Sequence, residues 1–213
     1  MPTPDGNTVL FIPMYGDDPF TDQSPNSYSI TNNGVIADSS MSAFGSAGAG
    51  LFSKSKYLYI NANVLKGLTT FTLEFDYYFN NIPKTNNDWN NGYYFMSNGE
   101  NYSDTGAEMF FGNSGISINF STYSQRTVIS YNPDDKKWHH FKITRDENNT
   151  VKIYIDNILL HTYSDNRSFY TGDYGFAIGK TEPQSEEEGC GFNGYIANYH
   201  ISNIVRTESY INW

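Results

Sequence analysis

Residues 70–79 read TFTLEFDYYF, and the side chains alternate: Phe71, Leu73, Phe75, Tyr77 and Phe79 share one parity, Thr72, Glu74, Asp76 and Tyr78 the other. Successive side chains of a strand point to opposite faces. The segment is therefore predicted to be a long strand with one buried face. VKIYID, 151–156, repeats the pattern, with Val151, Ile153 and Ile155 facing in and Lys152, Tyr154 and Asp156 facing out. Asp156-Asn157 then turns the chain into ILLHTY, which predicts a hairpin. WHHFKITR, 138–145, precedes that hairpin and is set off by the turns NPDDKK and DENNT. Further strands are predicted in VLFIPM, KYLYI, GYYFMS, EMFFG, ISINF, TVISY, YGFAIG and NGYIANYHIS. No window of 12 or more residues keeps a 3.6-residue period, and NANVLKGL, 61–68, reads as one helical turn at most. Strands every 8 to 12 residues with turn signals between them predict an antiparallel sandwich or barrel.

Composition agrees where it bears on this. The 213 residues include 18 Tyr, 15 Phe and 25 Asn, a bias toward strands and turns. Thirteen Lys and Arg against 23 Asp and Glu give a net charge of -10. The longest basic run is Lys136-Lys137, so polyanion affinity has no footing and nucleic acid is excluded as a partner. Cys190 is the single cysteine, so no internal disulfide staples the fold. The N-terminal segment has neither the basic nor the apolar run of an export signal. No stretch approaches the ~20 apolar residues of a membrane span. Folding in the cytoplasm without membrane insertion is the expectation. The small-residue stretch 39–50 and the acidic stretch 180–191 read as loops rather than linkers. One domain, 1–213, is predicted, with its core over roughly 8–208.

The order FTLEFDYYF, WHHFKITRDENNTVKIYIDNILL, YGFAIGK and GFNGYIANYHISNIVRT resembles the concanavalin A-like, laminin-G-like jelly roll. SKYLYI and FTDQSPNSYSITNNGV are similar to that family's upstream segments. The resemblance implies two packed antiparallel sheets, one of them with a concave face. It leaves function open, because lectins, glycosidases, adhesion modules and viral structural proteins share the fold.

Jelly-roll glycosidases of the laminarinase type place three carboxylates on one strand, since retaining hydrolysis needs two carboxyls about 5 Å apart. Glu74 and Asp76 share a face here, but Tyr77, Tyr78 and Phe79 follow, and the third member is missing. Cys190 lies among Gly and Glu residues, which disfavour a thiolate, and no G-x-S-x-G elbow is present. A non-enzyme is expected. His139 and His140 fall on opposite faces and His161 and His200 are isolated, so each reads as a strand-surface residue rather than a transition-metal ligand. Calcium is the one ion the pattern accommodates, at Asp17, Asp18 and Asp22 or at Glu186, Glu187 and Glu188. Solvated turns explain both groups without a metal, and that is the favoured reading.

For glycan binding, the candidates are Trp89 in the polar loop TNNDWNNGYY and the outward-parity Tyr78 and Tyr154, with Glu74 and Asp76 as hydroxyl partners. Trp89 folded back on the sandwich edge is the alternative, and Trp138 matches the family's packed Trp. Tyr210, Ile211 and Trp213 form a terminal cluster that reads as a last strand or as a contact to a neighbouring subunit. Taken together, the expected role is a non-enzymatic module on a virion surface, such as a capsid decoration, head-fibre or tail protein. It would be assembled in the host cytoplasm, with other virion proteins, glycans or further copies of itself as partners. A lectin-like domain of a bacterial cell-surface protein is the second reading and a jelly-roll glycoside hydrolase the third.

Overall fold

The computed structural model describes residues 4–83, 92–99, 106–113, 115–121, 125–169, 172–181 and 191–207. Every regular element within them is a strand. In chain order they are β1 (Thr8–Ile12), β2 (Ile30–Asn33), β3 (Ile36–Asp38), β4 (Ala49–Phe52), β5 (Tyr57–Ile60), β6 (Phe71–Phe79), β7 (Tyr93–Gly99) and β8 (Gly106–Phe111). They continue with β9 (Gly115–Asn119), β10 (Thr127–Ser130), β11 (Trp138–Arg145), β12 (Thr150–Ile155), β13 (Ile158–Ser164), β14 (Phe176–Ile178) and β15 (Gly194–Ser202). Two antiparallel sheets form the expected β-sandwich. One runs β13-β12-β11-β6-β15-β4-β3 with β1 also on β15, and the other runs β10-β9-β8-β7-β14-β5-β2.

The alternation in 71–79 places β6 in the middle of the larger sheet. Phe71, Leu73, Phe75, Tyr77 and Phe79 are all buried against the second sheet, where Phe75 lies 5.0 Å from Phe95 and Tyr77 lies 4.7 Å from Phe111. Such ring pairs add about 0.5–1.5 kcal/mol each beyond the area they bury. Two buried phenol hydroxyls of this core are satisfied: Tyr77 bonds Tyr131 at 2.7 Å, and Tyr199 donates to the Phe95 carbonyl at 3.1 Å. Arg145, at the end of β11, is 1% exposed. Its guanidinium lies 5.2–5.4 Å from the rings of Phe71, Phe120 and Phe169 and donates to the carbonyls of Leu68, Thr69 and Arg167. It thereby closes one end of the core with its hydrogen-bonding capacity largely met.

The predicted β12–β13 hairpin is present, and Asp156 and Asn157 both take positive φ, 53° and 63°. That is the geometry a two-residue turn of the primed type requires. Gly194, at φ 155°, lets β15 start against β6, since a Cβ there would sit 1.9 Å from the Tyr78 carbonyl oxygen. Three features depart from expectation. β2 and β3 were not foreseen, because their ITNN and IAD runs are short and mostly exposed. The Asn32 side chain joins them by bonding both the N–H and the C=O of Val35. The stretch 39–50 ends in strand rather than loop, with Ala49 and Gly50 opening β4. Residues 61–68 form turns and no helix, where the Asn63 carboxamide accepts from the Leu65 N–H.

Candidate functional site

Functional chemistry concentrates on the face of the larger sheet turned away from the core, over β11, β6 and β15. Cross-strand register brings three rows together there. Trp138, Tyr78 and Tyr195 lie abreast, then His140, Asp76 and Ala197, then Lys142, Glu74 and His200. A β-bulge between Ala197 and His200 sets Asn198 at φ 53°. Asn tolerates this left-handed backbone better than most residues, and its side chain turns onto Asp76.

The inner rows form a closed ionic network. His140 Nδ1 lies 2.8 Å from Asp76 Oδ1, and its Nε2 lies 3.3 Å from Glu74 Oε2. His200 Nδ1 lies 3.3 Å from Glu74 Oε1, while its Nε2 meets the hydroxyls of Thr8 and Ser202 at 3.2 Å. Asn198 donates to Asp76 Oδ2 at 2.7 Å. Ser202 accepts from Arg206, which also pairs with Asp5 at 2.7 Å. Glu74 is 2% exposed and Asp76 0%. The segment after β1 covers them: the Asn198 N–H reaches the Pro13 carbonyl, and burial together with the Asp76 charge raises the pKa of the enclosed Tyr15 phenol.

Burial disfavours charge on Glu74, Asp76, His140 and Lys142, and the partners decide the outcome. For His140, burial works against the cation, but Asp76 and Glu74 outweigh it and lift the imidazole to about 9. For Glu74, burial is again opposed, here by hydrogen bonds and charge from His140 and His200, and the carboxyl falls to about 2. Asp76 is raised, with burial exceeding the help of His140 and Asn198. Lys142 is lowered by burial despite Glu74, and its ammonium sits 5.0 Å from the centre of the Tyr154 ring. A pair of carboxylates with opposite shifts resembles an acid/base division. These two share one imidazolium and are shut off from any substrate, so the geometry is that of a structural ion network.

The sequence-based candidates fare differently. Glu74 and Asp76 do point away from the core as expected, but their proposed contact with sugar hydroxyls is corrected by their enclosure. His140 and His200, expected on the strand surface, are core members of the network. Tyr154 is half-buried with Lys142 on its ring. Asp17 and Asp18 are exposed, whereas Asp22 is buried. Asp22 accepts from the N–H groups of Phe11, Ser24 and Tyr28 and from the Ser24 hydroxyl, which makes it a staple of the 13–28 segment. Among the described residues, no three His, Cys, Asp or Glu are grouped to hold a metal. Trp89, Glu186, Glu187, Glu188, Tyr210, Ile211 and Trp213 lie outside the described residues.

Tyr78 is the candidate that gains neighbours. Its ring lies 5.7 Å from Trp138 and 5.9 Å from Tyr195, and all three are half-buried. Trp138 and Tyr195, with Met41, rest on the small side chains of Ala43, Ala49 and Ala197. The Tyr195 hydroxyl donates to Asp38 Oδ2 at 3.2 Å, and Ser40 donates to Asp38 Oδ1 through its N–H and hydroxyl at 2.9 and 2.6 Å. The Ser40 hydrogen bonds hold Asp38 below its ordinary pKa. Sequence reasoning missed Tyr195 and Asp38 and placed Trp138 in packing. Tyr195 shares the outward parity of GYIANY, but its place beside Tyr78 depends on strand order.

A laminin-G family model, described as the concanavalin A-like lectin/glucanases superfamily, matches residues 52–212. The chain belongs to that superfamily. No relative among curated proteins matches. Among solved structures, domain 4 of AbnA, a GH43 extracellular arabinanase from Geobacillus stearothermophilus, solved in complex with arabinotriose, is similar at 13% identity and TM-score 0.68, covering 92% of each chain. The binding domain of Paraclostridial Mosquitocidal Protein 1 is similar at 14% identity and TM-score 0.67, with 96% of this chain and 51% of that one covered. The binding domain of botulinum neurotoxin DC, in complex with SialylT, gives 14% and 0.64, covering 93% and 48%. This chain thus spans about half the length of the toxin binding domains it resembles. At these identities the likeness establishes the superfamily fold, and the binding face has to be argued from this chain's own residues.

Proposed function

We propose that this chain is a non-catalytic carbohydrate-binding module whose binding face is the row Trp138, Tyr78 and Tyr195. The observation that carries the reading is the register of the three half-buried rings across β11, β6 and β15, beside the half-buried carboxylate of Asp38. Sugar rings present an apolar face that aromatic side chains cover and a hydroxyl rim that a carboxylate can accept from. Catalysis is set aside because Glu74 and Asp76, the carboxylates that share this face of β6, are buried and bonded to His140. The placement on a virion surface expected from the sequence is kept as the setting of the module, with a bacterial cell surface as its alternative. Peptides of this chain in purified particles, detected by mass spectrometry, would support the first setting.

A glycan array with wild-type protein, Trp138→Ala and Tyr78→Ala tests the binding face. Both variants should retain the wild-type circular dichroism and lose about tenfold or more in affinity for whatever glycan the wild type captures. Wild-type binding that both variants preserve would move the site elsewhere.

A further inference from the structure

We infer that the Trp138–Tyr78–Tyr195 face takes a neutral oligosaccharide, with Asp38 as acceptor for one sugar hydroxyl, and that it discriminates against sialylated glycans. This rests on the carbohydrate reading and names its substrate class. A carboxylate offers about four acceptor positions. Ser40 occupies two through its N–H and hydroxyl, and Tyr195 occupies one through its hydroxyl. The three donors fix the plane of Asp38 and leave about one position, on Oδ2, the oxygen that the Tyr195 hydroxyl of the aromatic row meets. A preset acceptor of this kind binds a hydroxyl without first having to be ordered.

The same arrangement sets the charge preference. All three donors to Asp38 are neutral, so its charge is not cancelled locally. The turn leading into Trp138 carries Asp134, Asp135, Lys136 and Lys137, which sum to zero, with Lys137 on Asp134 at 2.9 Å. His139, on the opposite parity from Trp138, is engaged by Asp156 at 2.8 Å. The Asp76 and Glu74 carboxylates of the next rows are bonded to His140, so among the described residues beside the row Asp38 is the carboxylate whose donors are all neutral, on a chain of net charge -10. A sialic carboxylate held within ~6 Å of Asp38 is disfavoured about threefold in water, and by more where the bound sugar excludes water.

The test titrates wild type, Asp38→Ala and Asp38→Asn with matched oligosaccharide pairs that differ only in a terminal sialic acid, by calorimetry at low salt. The expected result is a wild-type preference for the neutral member of about threefold or more. Asp38→Ala should lose about tenfold in neutral affinity, as expected for a hydrogen bond to a charged group. Asp38→Asn should narrow the gap between the two members. A wild-type preference for the sialylated member, or full neutral affinity in Asp38→Ala, overturns the inference and leaves the carbohydrate reading standing. Absence of binding to either member of every pair overturns the carbohydrate reading itself.

Discussion

Replacing His140 by Gln removes a side chain that bonds both Asp76 and Glu74. At 1% exposure, no water is at hand to replace the lost cation. The magnitude follows in two ways. The imidazole titrates near 6.5 in an unfolded chain and at about 9 in the network. At ~1.4 kcal/mol per pH unit this gap corresponds to roughly 3 kcal/mol of stability. Breaking a buried ion pair by deleting one partner costs about 3–5 kcal/mol, which agrees. For a domain of this length, 3 kcal/mol lowers the melting temperature by about 6–12 °C. The sign with pH is fixed by direction. A histidine raised on folding contributes fully below about 6.5 and loses its contribution as pH rises through about 9. On the acid side Glu74, lowered to about 2, favours the fold above 4.5, whereas the raised Asp76 acts in the opposite sense, so the alkaline limb is the cleaner one to read. Urea titrations of wild type and His140→Gln at pH 6 and pH 9 provide the assay. Wild type should lose roughly 3 kcal/mol between the two, and the variant should be low and nearly flat. A variant within ~1 kcal/mol of wild type at pH 6, or parallel pH profiles, would refute the reasoning.

Two further stability predictions follow from buried polar groups. Arg145→Met should destabilise by more than ~3 kcal/mol in urea unfolding, because it leaves the carbonyls of Leu68, Thr69 and Arg167 without their donor. A near-neutral result would mean that hydrophobic packing among the three Phe rings suffices. Asn198→Ala should lose about 2–4 kcal/mol, from the bond to Asp76 and from a left-handed backbone that Ala tolerates poorly. Asn198→Gly, which keeps that backbone, should lose about 1 kcal/mol less, and equal losses would assign the whole effect to the hydrogen bond.

Alternation carried most of the fold. In β6 and β12 it identified both the strand and the core-facing side, because alternate residues of a strand share a face. The predicted single buried face does not hold for β6, which is buried on both sides except at Tyr78. Alternation failed at β2 and β3, where short, mostly exposed runs such as ITNN leave no period to read. For the candidate site, parity was informative but incomplete. It put Glu74, Asp76 and Tyr78 on the outer face correctly, yet outer does not mean solvent-exposed when Pro13 and Tyr15 lie over part of the sheet. His140 and Lys142 share a parity and stand opposite Asp76 and Glu74, a charge match that two antiparallel neighbours display in the sequence once they are paired. What sequence could not supply was the pairing of β6 with β15, more than 110 residues away. That long-range contact delivers His200, Asn198 and Tyr195 to the face.

The central claim is that ligand binds on the row of β11, β6 and β15. Nuclear magnetic resonance mapping of a bound neutral oligosaccharide on isotopically labelled protein reads this directly. Amide shifts should cluster at Tyr78, Trp138, Tyr195 and 38–41. Shifts confined to the strands of the seven-stranded sheet, with those residues unmoved, would contradict the account.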